Sequence, residues 1–275
     1  MEIKKLIRNG ILKLEEHEYA PKGDEIKNKF DLSLNINPLG VSKMVLQKIS
    51  NIDPKKINHY YPENQELINQ ISIYTNINKS KIMLGDGCDG CLGLIASTFI
   101  NKRDKVIIPT PTFHRYEFHT ILMEGVPHFI QMKDFTINPS EIINKSGDSK
   151  IIFLCNPNNP TGKPIEKEAL EEIIKRFNGI VVVDEALADV TKINGFHLLD
   201  KYENLIFVRS FSKIFGLASL RIGYIIANEN IIIQIKKTSS PFKVNGIAQE
   251  LAIEALKDKE YIKESEDYLN KIEII

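Results

Sequence analysis

The sequence contains few cysteines, no excess of charge of either sign and no long apolar run. Cysteine occurs only at Cys88, Cys91 and Cys155, and an odd, small number argues against a disulfide framework and favours a reducing compartment. No apolar stretch approaches the ~18 residues that a membrane-spanning helix needs, and acidic residues follow the start too early for a signal peptide. We therefore expect a soluble, cytoplasmic protein with no membrane partner.

The charge balance argues against a nucleic-acid partner. Lysine plus arginine number 36 and aspartate plus glutamate also number 36, so there is no overall basic excess. Hydrophobic residues make up 43% of the 275 residues and charged residues 26%, which is typical of globular domains. The length suits one large domain, alone or with one small domain.

Helix-like and strand-like segments alternate from about residue 42 onward. The helix candidates are residues 64–76, 90–100, 114–124, 166–177, 229–237 and 245–258. The strand candidates are residues 82–84, 105–108, 127–130, 150–154, 180–183, 205–208 and 222–226. The last five strands are short and apolar, as is typical of strands covered on both faces. This alternation predicts an α/β fold, a three-layer α/β/α sandwich with a mostly parallel central sheet.

Two short motifs allow interpretations that we weigh and set aside. Residues 85–90 (GDGCDG) fit a dinucleotide fingerprint, but the motif stands alone and comes late in the chain. The motif still predicts a phosphate site, because glycines before a helix N-terminus let backbone N–H groups bind a phosphate. Cys88 and Cys91 could form half of a zinc site, but zinc needs about four ligands and only Cys155 remains. We expect no metal.

Several separated segments could together bind pyridoxal phosphate (PLP). This cofactor needs a lysine, an anion at its pyridine nitrogen, a phosphate cradle, an aromatic plane and a donor to its 3′-oxygen. Lys213 lies in residues 210–216 (SFSKIFG) after an apolar strand, and Arg221 follows eight residues later. Hydroxyls before the lysine and an arginine after it would form a compact phosphate site. If this segment is considered alone, a surface loop without function explains it equally well.

The other parts come from segments that each follow a strand. Asp184 ends an apolar strand, at the edge where ligands of open α/β sheets gather, although a helix-capping aspartate is the alternative. Asn159 stands between two prolines in residues 156–162 (NPNNPTG), which would hold its amide rigidly. Phe113 could supply the aromatic plane, and residues 85–90 the phosphate cradle.

This ordered set resembles the class I/II aminotransferases, PLP enzymes of fold type I. The resemblance runs from about residue 35 to the end of the chain. Residues 35–40 (NINPLG), 61–62 (YP), 85–89 (GDGCD) and 241–245 (PFKVN) are similar, in order, to the histidinol-phosphate aminotransferase branch. The NINPLG segment looks especially like threonine-phosphate decarboxylases of the same branch.

The resemblance implies roles for individual residues. Lys213 would hold the cofactor as a Schiff base and move the proton at the substrate Cα, and Asp184 would pair with the pyridinium nitrogen. Asn159 would donate to the 3′-oxygen, and Phe113 would stack on the ring. The phosphate and its surrounding turn would involve Gly87, Cys88, Asp89, Ser210, Ser212 and Arg221.

The resemblance also implies a homodimer and a division into domains. Tyr61 would reach the cofactor phosphate of the neighbouring subunit, and Asn37 is a tentative substrate residue. Residues 1–40 would be an N-terminal segment that contributes to the small domain and the active site, and residues 41–245 the large PLP-binding domain. Residues 246–275 would begin a small C-terminal domain, which we expect to be truncated.

Two departures from the family pattern leave three hypotheses open. The family usually has a tyrosine three residues after the aspartate, where this chain has Leu187, and no strand with a substrate-binding arginine follows Asn245. The first hypothesis is a PLP-dependent aminotransferase that acts on an amino acid and a 2-oxo acid or phosphorylated ketone. The second is a decarboxylase of O-phosphothreonine, which Leu187 favours. The third is a non-catalytic PLP-binding protein or inactive fragment.

Overall fold

The structure is a computed structural model, and it describes residues 2–16, 34–191 and 194–272. Its helices are α1 to α12, in chain order Asn9–Leu12, Lys43–Ser50, Pro54–Ile57, Gln65–Thr75, Gly87–Phe99, Arg115–Leu122, Pro139–Ser146, Lys167–Arg176, Ala188–Thr191, Glu229–Thr238, Gly246–Lys257 and Lys259–Ile272. Short 3₁₀ helices span Ile3–Leu6, Lys79–Lys81, Phe196–Asp200 and Ala218–Leu220. None of the described helices is both long enough and apolar enough to span a membrane.

The seven strands form one sheet in the order β1-β7-β6-β5-β4-β2-β3. In chain order β1 to β7 are Ile82–Gly85, Lys105–Thr110, Val126–Gln131, Ile151–Cys155, Ile180–Asp184, Leu205–Ser210 and Gly223–Ala227. Strand β7 runs antiparallel to both of its neighbours, and the other paired strands are parallel. The prediction of an α/β fold with a mostly parallel sheet is confirmed, and each of the seven strand candidates is a strand.

Helices cover both faces of the sheet because successive residues of a strand point to opposite faces. In β5, Val181 and Val183 belong to one buried cluster, which includes apolar residues of α4, α8 and α11. Val182 belongs to a second cluster, with residues of α5, α6 and α10. The expectation of full burial is wrong for β3. This edge strand has Ile130 buried and its other residues partly or fully exposed.

Side-chain caps fix where several helices begin. The side chains of Ser42, Asn64, Asn138, Asn228 and Asn245 each accept hydrogen bonds from backbone N–H groups in the first turn of the helix that follows. Such caps satisfy donors that have no partner within the helix. All six helix candidates are helices, with ends that differ from the prediction by at most three residues. Helices α2, α3, α7 and α9 were missed.

Candidate active site

A cavity of about 450 Å³ opens at the edge of the sheet where the parallel strands end. The last residues of β4 and β5, Cys155 and Asp184, are paired across the sheet. Because β7 runs in the opposite direction, its first residue, Gly223, pairs with Ser210 at the end of β6. Nine of the residues predicted from sequence line this cavity: Cys88, Asp89, Phe113, Asn159, Asp184, Ser210, Ser212, Lys213 and Arg221.

Lys213 lies in the loop after β6 with its side chain partly buried. Its Nζ donates to the backbone oxygens of Leu34 at 2.9 Å and Asn35 at 3.3 Å. Burial lowers the pKa of the Lys213 amine below the ordinary value of 10.5, and the nearby Arg221 guanidinium lowers it further. A lowered pKa increases the neutral fraction of the amine, which is the form that attacks a carbonyl carbon.

Asp184 is a buried carboxylate with three hydrogen-bond donors. It accepts from Tyr116 Oη at 2.9 Å, from the Ala186 N–H at 3.0 Å and from Cys88 Sγ at 3.3 Å. Burial raises the pKa of Asp184, and these three donors oppose that rise because they favour the charged form. Sequence reasoning missed Tyr116. The signal was its position on α6, three residues after Phe113.

Gly87 and Arg221 bring backbone N–H groups and a guanidinium together. Gly87 has φ of +77°, and a Cβ at this position would lie 2.6 Å from Arg221 Nη2. A Cβ on Gly223 would lie 3.0 Å from the Cys88 backbone nitrogen. This close approach therefore requires glycine at both positions. A helix N-terminus beside an arginine, with Ser210 and Ser212 close by, fits a phosphate group.

Asp89 lines the cavity, but protein side chains already pair with its charge. Its carboxylate accepts from Arg115 Nε at 2.7 Å and Nη2 at 2.9 Å, and His119 Nε2 lies 2.8 Å away. Burial acts to raise the pKa of Asp89, but the hydrogen bonds from His119 and Arg115 outweigh it and hold the pKa below its usual range. The contacts of Asp89 with Arg115 and His119 connect α5 to α6. Sequence reasoning missed both basic residues.

Phe113 and Asn159 both line the cavity. Phe113 packs edge-to-face on Tyr116, with ring centroids 5.7 Å apart. The backbone N–H of Asn159 donates to Cys155 Sγ at 3.3 Å, and its side chain lines the cavity. Leu187 also lines the cavity, so the position where the family usually has a tyrosine hydroxyl is apolar here.

Comparison with known proteins decides the family. The family model described as aminotransferase class I and II matches residues 27–273. The chain belongs to this family. A histidinol-phosphate aminotransferase from Caldicellulosiruptor saccharolyticus is 40% identical over 250 residues, which cover 87% of this chain and 69% of that protein. The predicted family, and with it the PLP-dependent aminotransferase class, is confirmed.

Solved structures agree with this family and its fold. A histidinol-phosphate aminotransferase from Clostridium acetobutylicum is 30% identical, with a TM-score of 0.76 over 84% of this chain and 70% of that chain. The enzyme from Sinorhizobium meliloti in complex with pyridoxal-5′-phosphate shares the fold, with a TM-score of 0.80 at 24% identity over 85% and 65%. An L-threonine-O-3-phosphate decarboxylase from Porphyromonas gingivalis has a TM-score of 0.67 at 25% identity over 82% and 70%.

Three of the twelve predicted residues are not among those that line the cavity: Gly87, which lies against Arg221 at the start of α5, Asn37 and Tyr61. The Asn37 amide donates to the Ile214 backbone oxygen at 2.9 Å and to Ser265 Oγ at 3.1 Å, so both of its hydrogens are engaged within the protein. This geometry gives no support to the substrate role that we hypothesised for Asn37, while its neighbour Asn35 does line the cavity. Tyr61 donates to Glu250 Oε1 at 2.5 Å and does not line the cavity.

Proposed function

We propose that this chain is a PLP-dependent aminotransferase of the histidinol-phosphate type. It would move an amino group between an amino acid and a 2-oxo acid or phosphorylated ketone. The main support is one cavity lined by a partly buried amine, Lys213, a buried carboxylate, Asp184, and Arg221, whose guanidinium lies against Gly87. The curated relatives with this activity are longer than the chain, which spans 69% of the Caldicellulosiruptor enzyme.

In this proposal the residues divide into those that hold the cofactor and those that tune it. PLP, when bound, supplies an electron sink for a bond broken at the substrate Cα. The N–H groups of Gly87 and Cys88 and the Arg221 guanidinium bind the phosphate, with the hydroxyls of Ser210 and Ser212. Asp184 keeps the pyridine nitrogen protonated, because a carboxylate in a buried site strongly favours an adjacent cation.

The remaining groups orient the ring and move the proton. Phe113 provides an apolar plane, and the Asn159 amide is the donor available for the 3′-oxygen. Lys213 Nζ holds the cofactor and then carries the proton to and from the substrate Cα. Its lowered pKa suits this work, because a base with a pKa closer to neutral accepts and returns a proton readily.

We also propose a homodimer in which Tyr61 completes the phosphate site of the neighbouring subunit. The apolar side chains of Ile57, Tyr60 and Phe242 near Tyr61 are more than half exposed, at 66%, 85% and 51%. Exposed apolar groups of this size are typical of interfaces. A reducing, cytoplasmic location is part of the same proposal, in keeping with three cysteines that are all free.

A second candidate function is the decarboxylation of O-phosphothreonine. It is favoured by Leu187, which removes a hydroxyl from the cavity, and by the likeness to the Porphyromonas decarboxylase. The two activities differ in their products. Glutamate should convert the bound cofactor to its amine form in an aminotransferase, and a 2-oxo acid should reverse the change. A decarboxylase should release CO₂ without glutamate.

The assignment of Lys213 is tested by covalent labelling and by a matched lysine variant. The protein is incubated with PLP, reduced with borohydride and digested, and the labelled peptide is identified by mass spectrometry. We expect the label on Lys213, and its loss together with activity in Lys213→Ala. Lys243→Ala is the control, since Lys243 is also partly buried with a lowered pKa but lies outside the cavity. A label on another lysine, or turnover by Lys213→Ala, would refute the assignment.

A further inference from the structure

The carboxylate of Asp184 receives one of its three hydrogen bonds from a cysteine. We propose that the thiol of Cys88 is a positioning group that keeps Asp184 charged and oriented toward the pyridine nitrogen of the cofactor. This inference rests on the proposed function. It assigns to Cys88 a second role, distinct from the contact of its backbone N–H with the phosphate.

The location of Cys88 allows its backbone to contact the cofactor phosphate and its side chain to contact Asp184, which faces the pyridine nitrogen. Cys88 is the second residue of α5, so its backbone N–H is one of the free donors of the helix N-terminus. Its backbone nitrogen lies in the cradle beside Gly223. Its side chain points the other way and places Sγ 3.3 Å from Asp184 Oδ1. Sulfur–oxygen contacts of this length are hydrogen bonds, since sulfur is a larger atom than oxygen.

The thiol remains a donor rather than a nucleophile. Burial raises the pKa of Cys88 well above its ordinary value, and the neighbouring Asp184 carboxylate raises it further. A thiol with a raised pKa is protonated at neutral pH and chemically inert. The same holds for Cys155, whose pKa burial raises to about 12. Burial also raises the pKa of Cys91, so the three cysteines near Asp184 do not point to redox chemistry.

The contribution of the thiol follows from the balance that sets the charge on Asp184. Burial favours the protonated carboxyl, whereas the donors Cys88, Tyr116 and the Ala186 N–H favour the anion. The other titratable groups around this carboxylate are Asp89 and Cys91 on α5, Cys155 at the end of β4 and Lys213 after β6. Removal of one donor should shift the pKa of Asp184 upward, so that a larger fraction is protonated and cannot pair with a pyridinium.

The expected effect on cofactor binding depends on pH. A single hydrogen bond of typical net strength corresponds to a change of about fivefold in an equilibrium constant. PLP should therefore bind Cys88→Ala up to about fivefold more weakly at pH 6 than the unmodified protein. The difference should shrink toward pH 8.5, because the ionised fraction of Asp184 rises with pH in both proteins. Cys88→Ser keeps a donor at this position and should bind PLP within about twofold of the unmodified protein at both pH values.

The test measures PLP dissociation constants for these proteins by titration of the cofactor-free forms at pH 6 and pH 8.5. A second readout needs no cofactor: carbon-13 NMR of aspartate-labelled protein should show the Asp184 carboxyl titrating at higher pH in Cys88→Ala. Cys91→Ala is the matched control, because Cys91 is a buried cysteine on the same helix with no hydrogen bond to Asp184 among the described contacts. Melting curves confirm that each variant is folded.

Three outcomes would overturn the inference. They are equal PLP affinity for Cys88→Ala at both pH values, an equal defect in Cys88→Ser, and an equal defect in Cys91→Ala. The last two would mean that Cys88 contributes packing alone. If the unmodified protein itself fails to bind PLP, the proposed function fails. If it binds PLP on Lys213 and Cys88→Ala matches it, only the role of Cys88 fails.

Discussion

Gly87→Ala should destabilise the protein modestly and should weaken the binding of a phosphate-bearing ligand selectively. Gly87 has φ of +77°, in the left-handed region where a side chain costs roughly 1–2 kcal/mol. The new Cβ would also stand 2.6 Å from Arg221 Nη2 and 3.1 Å from Arg221 Cζ. Real Cβ contacts are longer, so the guanidinium must move away from the cradle.

The size of the effect follows from the interaction that is lost. A hydrogen bond to a charged group contributes about 1.5–3 kcal/mol, so displacement of Arg221 from the phosphate should weaken PLP binding roughly 10- to 150-fold. Pyridoxal has the same ring and aldehyde without the phosphate. Its affinity should change by less than about threefold, because no charged contact is lost.

The assay is a titration of the cofactor-free protein with PLP and with pyridoxal, combined with chemical denaturation. Gly40→Ala is a matched control, since Gly40 also has φ of +77° and a Cβ there would meet nothing within 4 Å. Both variants should lose stability of about 1–2 kcal/mol, but only Gly87→Ala should lose preference for PLP over pyridoxal. Equal losses for both ligands would refute the assignment of Gly87 and Arg221 to the phosphate.

Two further predictions concern the amine and the dimer. Burial and Arg221 lower the pKa of Lys213, so the rate at which its amine reacts with pyridoxal should rise with pH around a midpoint below 10.5. Stopped-flow absorbance measures this rate. A midpoint at or above 10.5 would contradict the lowered pKa. Tyr61→Phe alone should bind PLP at least about tenfold more weakly, since a hydrogen bond to phosphate is lost. Mixed with Lys213→Ala subunits, it should regain full affinity at about a quarter of the sites, because random hybrid dimers contain one complete site. If affinity is not regained in the mixture, Tyr61 does not contribute to the phosphate site of the neighbouring subunit.

Strand positions were well predicted because apolar runs of four to six residues are a local property of the chain. The antiparallel direction of β7 was not predicted, because the direction of a strand depends on how the chain returns to the sheet. That reversal is functionally important. It brings Gly223 beside Ser210 and Gly85, and so places Arg221 over Gly87.

The candidate site shows the same division. Asp184, the last residue of β5, and Lys213, three residues after β6, were predicted to share a site because the ends of parallel strands meet at one edge of a sheet, and both line the cavity. Tyr116 was missed because its pattern on α6 is that of a buried core residue, and its contact with Asp184 joins elements 68 residues apart. The substrate role of Asn37 stays a prediction, and sequence does not show that Ile214 and Ser265 engage its amide.

The order of short motifs along the chain determined the family and the fold class. It also predicted which amine, which carboxylate and which glycine turn would bind the cofactor, because each is a local signal tied to a strand end. The tertiary structure alone decided which groups surround the carboxylate, how the arginine meets the glycine turn, and which polar residues are engaged elsewhere. Charge and hydrogen bonding act through space over a few ångströms, and residues far apart in sequence become neighbours only when the sheet and its helices pack.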